Sequence, residues 1–130
     1  DADRVEEAEV RWSPDGKTIA YFGADKTLRL VPSDGGASRV LTQVPAVSGF
    51  VGLSWSPDGS RLAYSTIQKV FVVTASGGEP HEIPVGLAGS RITQLDWSPD
   101  GQTLAFTGVS GSEEEVWLMS DFLHLVKAAR

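Results

Sequence analysis

Apolar residues along this chain come in short runs, each closed by a cluster of Gly, Pro, Ser or Asp. Within a run they tend to fall on alternate positions. Val10 and Trp12 stand two apart, as do Leu53 and Trp55, and Leu95 and Trp97. Side chains two apart share one face of a strand, so this spacing predicts β-strands. A second run follows each of these: "KTIAYFG", "SRLAYST" and "QTLAFTG". Ile19 and Tyr21, Leu62 and Tyr64, and Leu104 and Phe106 line one face of it, while Ala20, Ala63 and Ala105 occupy the other. Both faces are partly apolar, as a sheet packed between neighbouring layers requires and a half-solvated sheet does not. A third run comes next, "TLRLV", "VFVV" and "EVWLM", and a fourth falls near residues 38–42 and 81–85. The pattern predicts units of four antiparallel strands joined by short loops.

The units are copies of one another. The pentapeptide "WSPDG" occurs at 12–16, 55–59 and 97–101, so Trp12, Trp55 and Trp97 recur at intervals of 43 and 42 residues. That period is the length of a four-stranded propeller blade. Ser-Pro-Asp-Gly is a turn signal with a mechanism. Pro14, Pro57 and Pro99 pre-set φ for the first central position, and Asp15, Asp58 and Asp100 suit the second. Gly16, Gly59 and Gly101 can take the positive φ that closes a hairpin with a bulge. The serine hydroxyl can bond back to the turn backbone. Copies one and two add a second tight turn, "SDGG" and "SGGE". The third copy lacks it, and its second loop, "GVSGSEEE", is longer and delays the third strand. Residues 122–126 then form either a short outer strand or a short helix capped by Asp121.

Composition narrows the function classes. The chain has 130 residues, 41% of them hydrophobic and 22% charged, enough for one domain with a core. Its formal net charge of −6 argues against nucleic acid and against an anionic membrane surface. With no cysteine there is no disulfide, thiolate or Cys-zinc chemistry. No apolar run approaches the roughly 18 residues that span a bilayer. The chain starts at Asp1 without Met or a signal peptide, and reads as a piece of a longer gene product.

Candidate chemistry is sparse. His81 stands beside Glu79 and Glu82, but there is no HExxH spacing and no second histidine nearby, so it reads as an exposed strand residue. His124 lies in a C-terminal apolar run and reads as a packing residue. "GVSGS" at 108–112 fails the nucleophile-elbow pattern, because Ser112 stands where the last glycine belongs. "SDGG" and "SGGE" lack the lysine of a phosphate-binding loop. The repeated aspartates read as turn caps. The acidic clusters Glu6, Glu7 and Glu9, and Glu113, Glu114 and Glu115, read as solvated faces, with a cation site or a basic partner as the alternative; Glu7 and Glu9, on one side of the first strand, would make an acidic channel mouth that favours cationic ligands or basic peptide segments.

The repeated "WSPDG", the following "IAY", "LAY" or "LAF" and the "GG" turn resemble the TolB-type propeller repeat, related in architecture to the WD-repeat propellers. The resemblance covers about residues 5–122. It implies an all-β fold of three four-stranded antiparallel blades, at about 5–43, 48–86 and 90–127. Many members are bacterial and extracytoplasmic, and the repeat carries no catalytic residue or cofactor. Propellers usually have about four to eight blades. Three blades therefore suggest half of a six-bladed ring, completed by a second copy in a homodimer or by further blades upstream. The expected function is a non-catalytic module that binds a protein or peptide through the loops at 23–26, 66–69 and 108–115. Asp25, Lys26, Gln68, Lys69 and the three glutamates are the exposed candidates there. The alternative is the gating portion of a serine peptidase of the prolyl oligopeptidase type, which needs a hydrolase domain absent from this chain.

Overall fold

The computed structural model describes residues 10–43, 52–85, 91–120 and 122. They form eleven strands in three antiparallel sheets. The first sheet runs in the order β1 (Val10–Trp12), β2 (Thr18–Phe22), β3 (Thr27–Pro32), β4 (Arg39–Gln43). The second runs β5 (Gly52–Trp55), β6 (Arg61–Ser65), β7 (Val70–Thr74), β8 (His81–Ile83). The third comprises β9 (Arg91–Trp97), β10 (Thr103–Ser110) and β11 (Glu113–Ser120). Of its expected fourth strand, at 122–126, only Phe122 is among the described residues; the rest lies outside them, as do Glu6, Glu7, Glu9 and His124. Among the described residues no helix is long and apolar enough to cross a membrane.

Each WSPDG is built the same way. Gly16, Gly59 and Gly101 have φ of 74°, 78° and 76°, a region that L side chains enter at a steric cost. The Gly16 N–H donates to the Ser13 carbonyl at 2.9 Å, closing the turn, and the Ser13 N–H donates to Thr18 O at 2.7 Å, closing the hairpin. Ser56 with Gly59 and Arg61, and Ser98 with Gly101 and Thr103, repeat both bonds. The turns also meet one another: a Cβ on Gly59 would lie 3.8 Å from Pro14, and one on Gly101 would lie 3.7 Å from Pro57.

The sheets stack face to face, and two apolar cores fill the seams. Between the first and second sheets Ala20, Phe22, Leu28, Leu30 and Leu41 meet Leu53, Trp55, Leu62 and Tyr64. Between the second and third, Ala63, Val70, Val72 and Ile83 meet Ile92, Leu95, Trp97, Leu104 and Phe106. Alanine at the middle of the second strand lets the layers approach. The described end of the third unit supplies Phe122, buried with its ring 5.4 Å from that of Trp97.

The seams treat the three repeat tryptophans unequally. Burying a tryptophan contributes about 2–3 kcal/mol, but only two of the three repeat tryptophans are buried within this chain. Trp55 and Trp97 are 9% and 5% exposed, whereas Trp12 is 60% exposed. The tryptophan of each sheet faces the sheet before it, and nothing among the described residues precedes the first. Val10 is exposed for the same reason.

One expectation is corrected at residues 108–115. They were expected as a loop, but β10 and β11 pair from Thr103↔Ser120 to Ser110↔Glu113. Only Gly111 and Ser112 remain as the turn. Gly111 has φ of 64°, the sign that glycine supplies at the first position of a two-residue hairpin turn. Glu113, Glu114 and Glu115 are therefore strand residues at the tip of a long hairpin.

Candidate binding surface

The hairpin turns divide each sheet into two ends. At one end lie the WSPDG turns and the glycine-pair turns. A cleft of about 400 Å³ opens there between the first two sheets, lined by Ser13, Asp15, Leu30, Arg39, Trp55 and Asp58. Arg39 reaches across the seam, donating through Nη2 to the Ala75 carbonyl at 2.8 Å.

The aspartates at this end are engaged in their own turns. Asp15 Oδ1 accepts from Ser13 Oγ at 2.6 Å and from the Lys17 N–H at 2.9 Å. Asp100 Oδ1 accepts from Ser98 Oγ at 2.6 Å and the Gln102 N–H at 3.0 Å. Asp58 Oδ1 accepts from Ser56 Oγ at 2.8 Å, the Ser60 N–H at 3.0 Å and Ser60 Oγ at 2.7 Å. The serines in turn accept the backbone N–H five residues on, each at 3.0 Å. Donors aimed at a carboxylate favour its ionised form. The Ser13 hydroxyl, then the Lys17 N–H, hold Asp15 below its ordinary range, and the Ser98 hydroxyl and Gln102 N–H do so for Asp100. Asp58 falls furthest, to about 2, chiefly through the Ser60 N–H and then the Ser60 and Ser56 hydroxyls.

This geometry sets a pH dependence. Each folded-state pKa lies below the ordinary 3.8, so the turn bonds stabilise the fold above that value and are lost as pH falls through the folded value. The melting temperature should hold level from pH 7 to pH 5 and drop between 3.8 and about 2. Asp58→Asn should flatten part of that drop while lowering the neutral-pH melting temperature. A drop of unchanged steepness in Asp58→Asn would remove Asp58 from this explanation.

At the opposite end lie the connections between second and third strands. Asp25 and Lys26 are exposed at 23–26, where Lys26 takes φ of 64° and its N–H donates to Gly23 O at 3.1 Å. Asp25 is tied down: Oδ1 accepts from Thr27 Oγ1 at 2.5 Å and Oδ2 meets Arg29 Nη2 at 3.1 Å. The Thr27 hydroxyl, then Arg29, keep its pKa low. Gln68 and Lys69 are exposed at 66–69, with Lys69 Nζ 3.7 Å from Glu82 Oε1. Glu113, Glu114 and Glu115 are exposed on β11.

Two apolar residues at this end escaped the sequence reading. Ile67 is exposed in the middle of "TIQK", and Trp117 is partly exposed on β11. They are joined through three short steps. The Ile92 N–H donates to the Ile67 carbonyl at 2.6 Å. Ile92 pairs with Gly108, where the register shifts by a bulge. Trp117 lies over Gly108, its Nε1 3.4 Å from where a Cβ would stand. Alternation along β11 puts Glu113 and Glu115 on the face of Trp117, opposite the face of Glu114, Val116 and Leu118. The available signal was arithmetic: of four tryptophans, Trp117 alone stands outside a WSPDG copy.

The sequence candidates for chemistry stay apart. His81 is half-buried on the outer strand β8, opposite Val72, and Glu79 is exposed before it. Among the described residues no three His, Cys, Asp or Glu side chains gather where they could hold a metal ion.

The comparisons agree with this architecture. The WD domain, G-beta repeat family matches residues 84–113. A solved structure of a TolB from Agrobacterium tumefaciens superposes with a TM-score of 0.69 and 26% identity, over 87% of this chain and 43% of that one. The Cps50 (Swd1) β-propeller domain of Myceliophteria thermophila superposes with a TM-score of 0.65 and 16% identity, over 86% and 38%. The chain thus spans less than half the length of either. No curated protein matches it. With its repeated WSPDG turns, its stacked antiparallel sheets and these likenesses, the chain is a TolB- and WD-repeat-like β-propeller array.

Proposed function

We propose that the chain is a non-catalytic binding module that takes a protein or peptide segment on the rim formed by the connections between second and third strands. The ligand class is a basic peptide bearing an apolar side chain. One observation carries this reading: Trp117 presents a partly exposed indole on the same strand face as Glu113 and Glu115, above the seam where Ile67 is also exposed. Exposed aromatics are frequent anchors of protein recognition, and carboxylates beside them select a cationic partner. The aspartates at the other end support the same choice of rim, since their turn bonds already occupy Oδ1. Propeller domains of the TolB and WD-repeat kinds are typically non-catalytic, and function sits on their loops.

The blades, at about 5–43, 48–86 and 90–127, form one propeller unit in this reading, completed from outside the chain by a second copy or by further blades of a longer protein. The TolB likeness favours an extracytoplasmic setting.

Calorimetric titration with a lysine- and arginine-rich peptide containing leucine or tryptophan tests the rim. Saturable heat is expected, weakening as salt is raised because the Debye length shrinks to roughly 3 Å at 1 M. Trp117→Ala should weaken binding about tenfold or more. No heat with the basic peptide, or equal affinity in Trp117→Ala, would reject this ligand class at this rim.

A further inference from the structure

The two seams inside this chain share one plan, but their tryptophans are covered differently at the WSPDG end. Between the second and third sheets, Phe122 covers Trp97. It is 1% exposed, and its ring stands 5.4 Å from that of Trp97, tilted by 60°. The strand registers show what takes its place in the other seam. Thr103 pairs with Ser120, and Arg61 pairs with Thr74. Arg61 and Thr103 hold the same place after their tryptophans, so Ser120 answers to Thr74 and Phe122 to Ser76. Where the third sheet sends an aromatic ring over its tryptophan, the second sends Ala75 and an exposed Ser76.

The cleft of about 400 Å³ lies in the seam that lacks this ring. Small-molecule sites typically have roughly 300–1,000 Å³. Leu30 and Trp55 line it and are buried, with the small side chain of Ala75 beside them. The Trp55 N–H is spent on the Arg11 carbonyl, so the indole offers a ligand ring surface rather than a donor. In the other seam the Trp97 N–H instead donates to Gly101 O of its own turn, at 3.0 Å.

Both signs of charge border this apolar surface. Arg39 lines the cleft and gives Nη2 to the Ala75 carbonyl, and its other N–H groups meet no acceptor among the described residues. By register its counterpart in the second sheet is His81, so the guanidinium is particular to this seam. Asp15 and Asp58 line the same cleft. Their turn bonds all fall on Oδ1, and Oδ2 of each accepts no hydrogen bond among the described residues.

We propose that this cleft binds a free aromatic amino acid, with its ring against Trp55, its carboxylate on Arg39 and its ammonium on the Oδ2 atoms of Asp15 and Asp58. The ring does for Trp55 what Phe122 does for Trp97. A zwitterion answers both signs of charge, whereas a ligand with a single charge leaves one of them unmatched. Charge-assisted hydrogen bonds of this kind are the strong ones. The site lies at the opposite end of the sheets from the peptide rim and stands or falls independently of it.

Two-dimensional amide NMR of the 130-residue chain, titrated with L-phenylalanine, tests it. Saturable shifts are expected at the Trp55 indole N–H and at the backbone amides of Asp15, Gly59 and Ala75, which border the cleft. Phenethylamine lacks the carboxylate and phenylpropionate lacks the ammonium, so each should bind about tenfold more weakly. In Arg39→Gln, phenylalanine and phenethylamine should bind alike, a comparison within one variant that a general loss of fold does not mimic. The absence of saturable shifts, or shifts at Trp117 in their place, overturns the site. Equal binding of leucine overturns the aromatic ligand. Equal binding of N-acetylphenylalaninamide, which carries neither charge, overturns the charge pairing, and an undiminished preference for phenylalanine in Arg39→Gln overturns the role of Arg39.

Discussion

Replacing Trp55 by alanine should cost about 3–5 kcal/mol of stability, the usual range for an aromatic removed from a core. The indole fills the first seam beside Ala20, Leu30 and Leu62, and its Nε1 donates to the Arg11 carbonyl of the preceding sheet. Truncation therefore opens a cavity between two sheets and strands a carbonyl that had a partner. Ser112→Ala, in the exposed turn of the β10–β11 hairpin, should change stability by less than about 0.5 kcal/mol. Thermal or urea unfolding of both variants decides the matter. Coincident curves would mean that the repeat tryptophan does not pack between blades.

The second large effect is expected at a glycine. Gly52 opens β5, opposite Ser65, where the second sheet packs against Leu95 of the third. A Cβ there would stand 2.8 Å from the Cβ of Leu95, 3.0 Å from Ser65 Oγ and 3.2 Å from the Leu95 backbone nitrogen. None of these is the loose end of a flexible side chain, so Gly52→Ala must push the inner strands apart. Overpacking of this kind costs about 1–3 kcal/mol. The midpoint of urea unfolding should fall with an unchanged slope, since the surface exposed on unfolding is the same. A midpoint equal to wild type would show that the seam can relax around a methyl group. The crowding also accounts for a break in the repeat: the first sheet has Phe22 where the second has Ser65, whose buried hydroxyl lacks a hydrogen-bond partner.

The blade itself was legible because its defining chemistry is local. In WSPDG the turn, the Ser–Asp hydrogen bond and the backbone closure all lie within six residues, so the letters specify the geometry directly. The alternation of Ile19, Ala20 and Tyr21, and of their equivalents, revealed a sheet with two apolar faces before any partner was visible. The third hairpin was harder. "GVSGSEEE" has the composition of a loop, but cross-strand pairing carries β10 and β11 through it, and only Gly111 and Ser112 turn. Acidic side chains at a strand tip remain solvated, so strand and loop look alike in composition there.

The residues that decide the seams were not legible at all. Arg11, Ser54 and Asp96 share a position but neither charge nor size, so no repeat pattern marks them. They become a set only when stacking brings residues 42 to 44 apart into hydrogen-bond range. Ile67 and Trp117 were missed for a similar reason. Ile67 sits in a polar stretch and Trp117 in a run that reads as ordinary strand, and each gains meaning only through the bonds at Ile92 and the bulge at Gly108.

Stability resides between the sheets rather than within any one of them. β5 is buried along its whole length, and β6 along all but its first residue, because the second sheet is covered on both faces. Native-state amide hydrogen exchange reads this directly, since slow amides mark the segments that open only with the whole fold. Amides of β5, β6 and β9 should exchange slowest and at a common rate, and Trp55→Ala should accelerate them together. Three sheets exchanging at independent rates, with β4 and β8 as protected as β5 and β6, would contradict it.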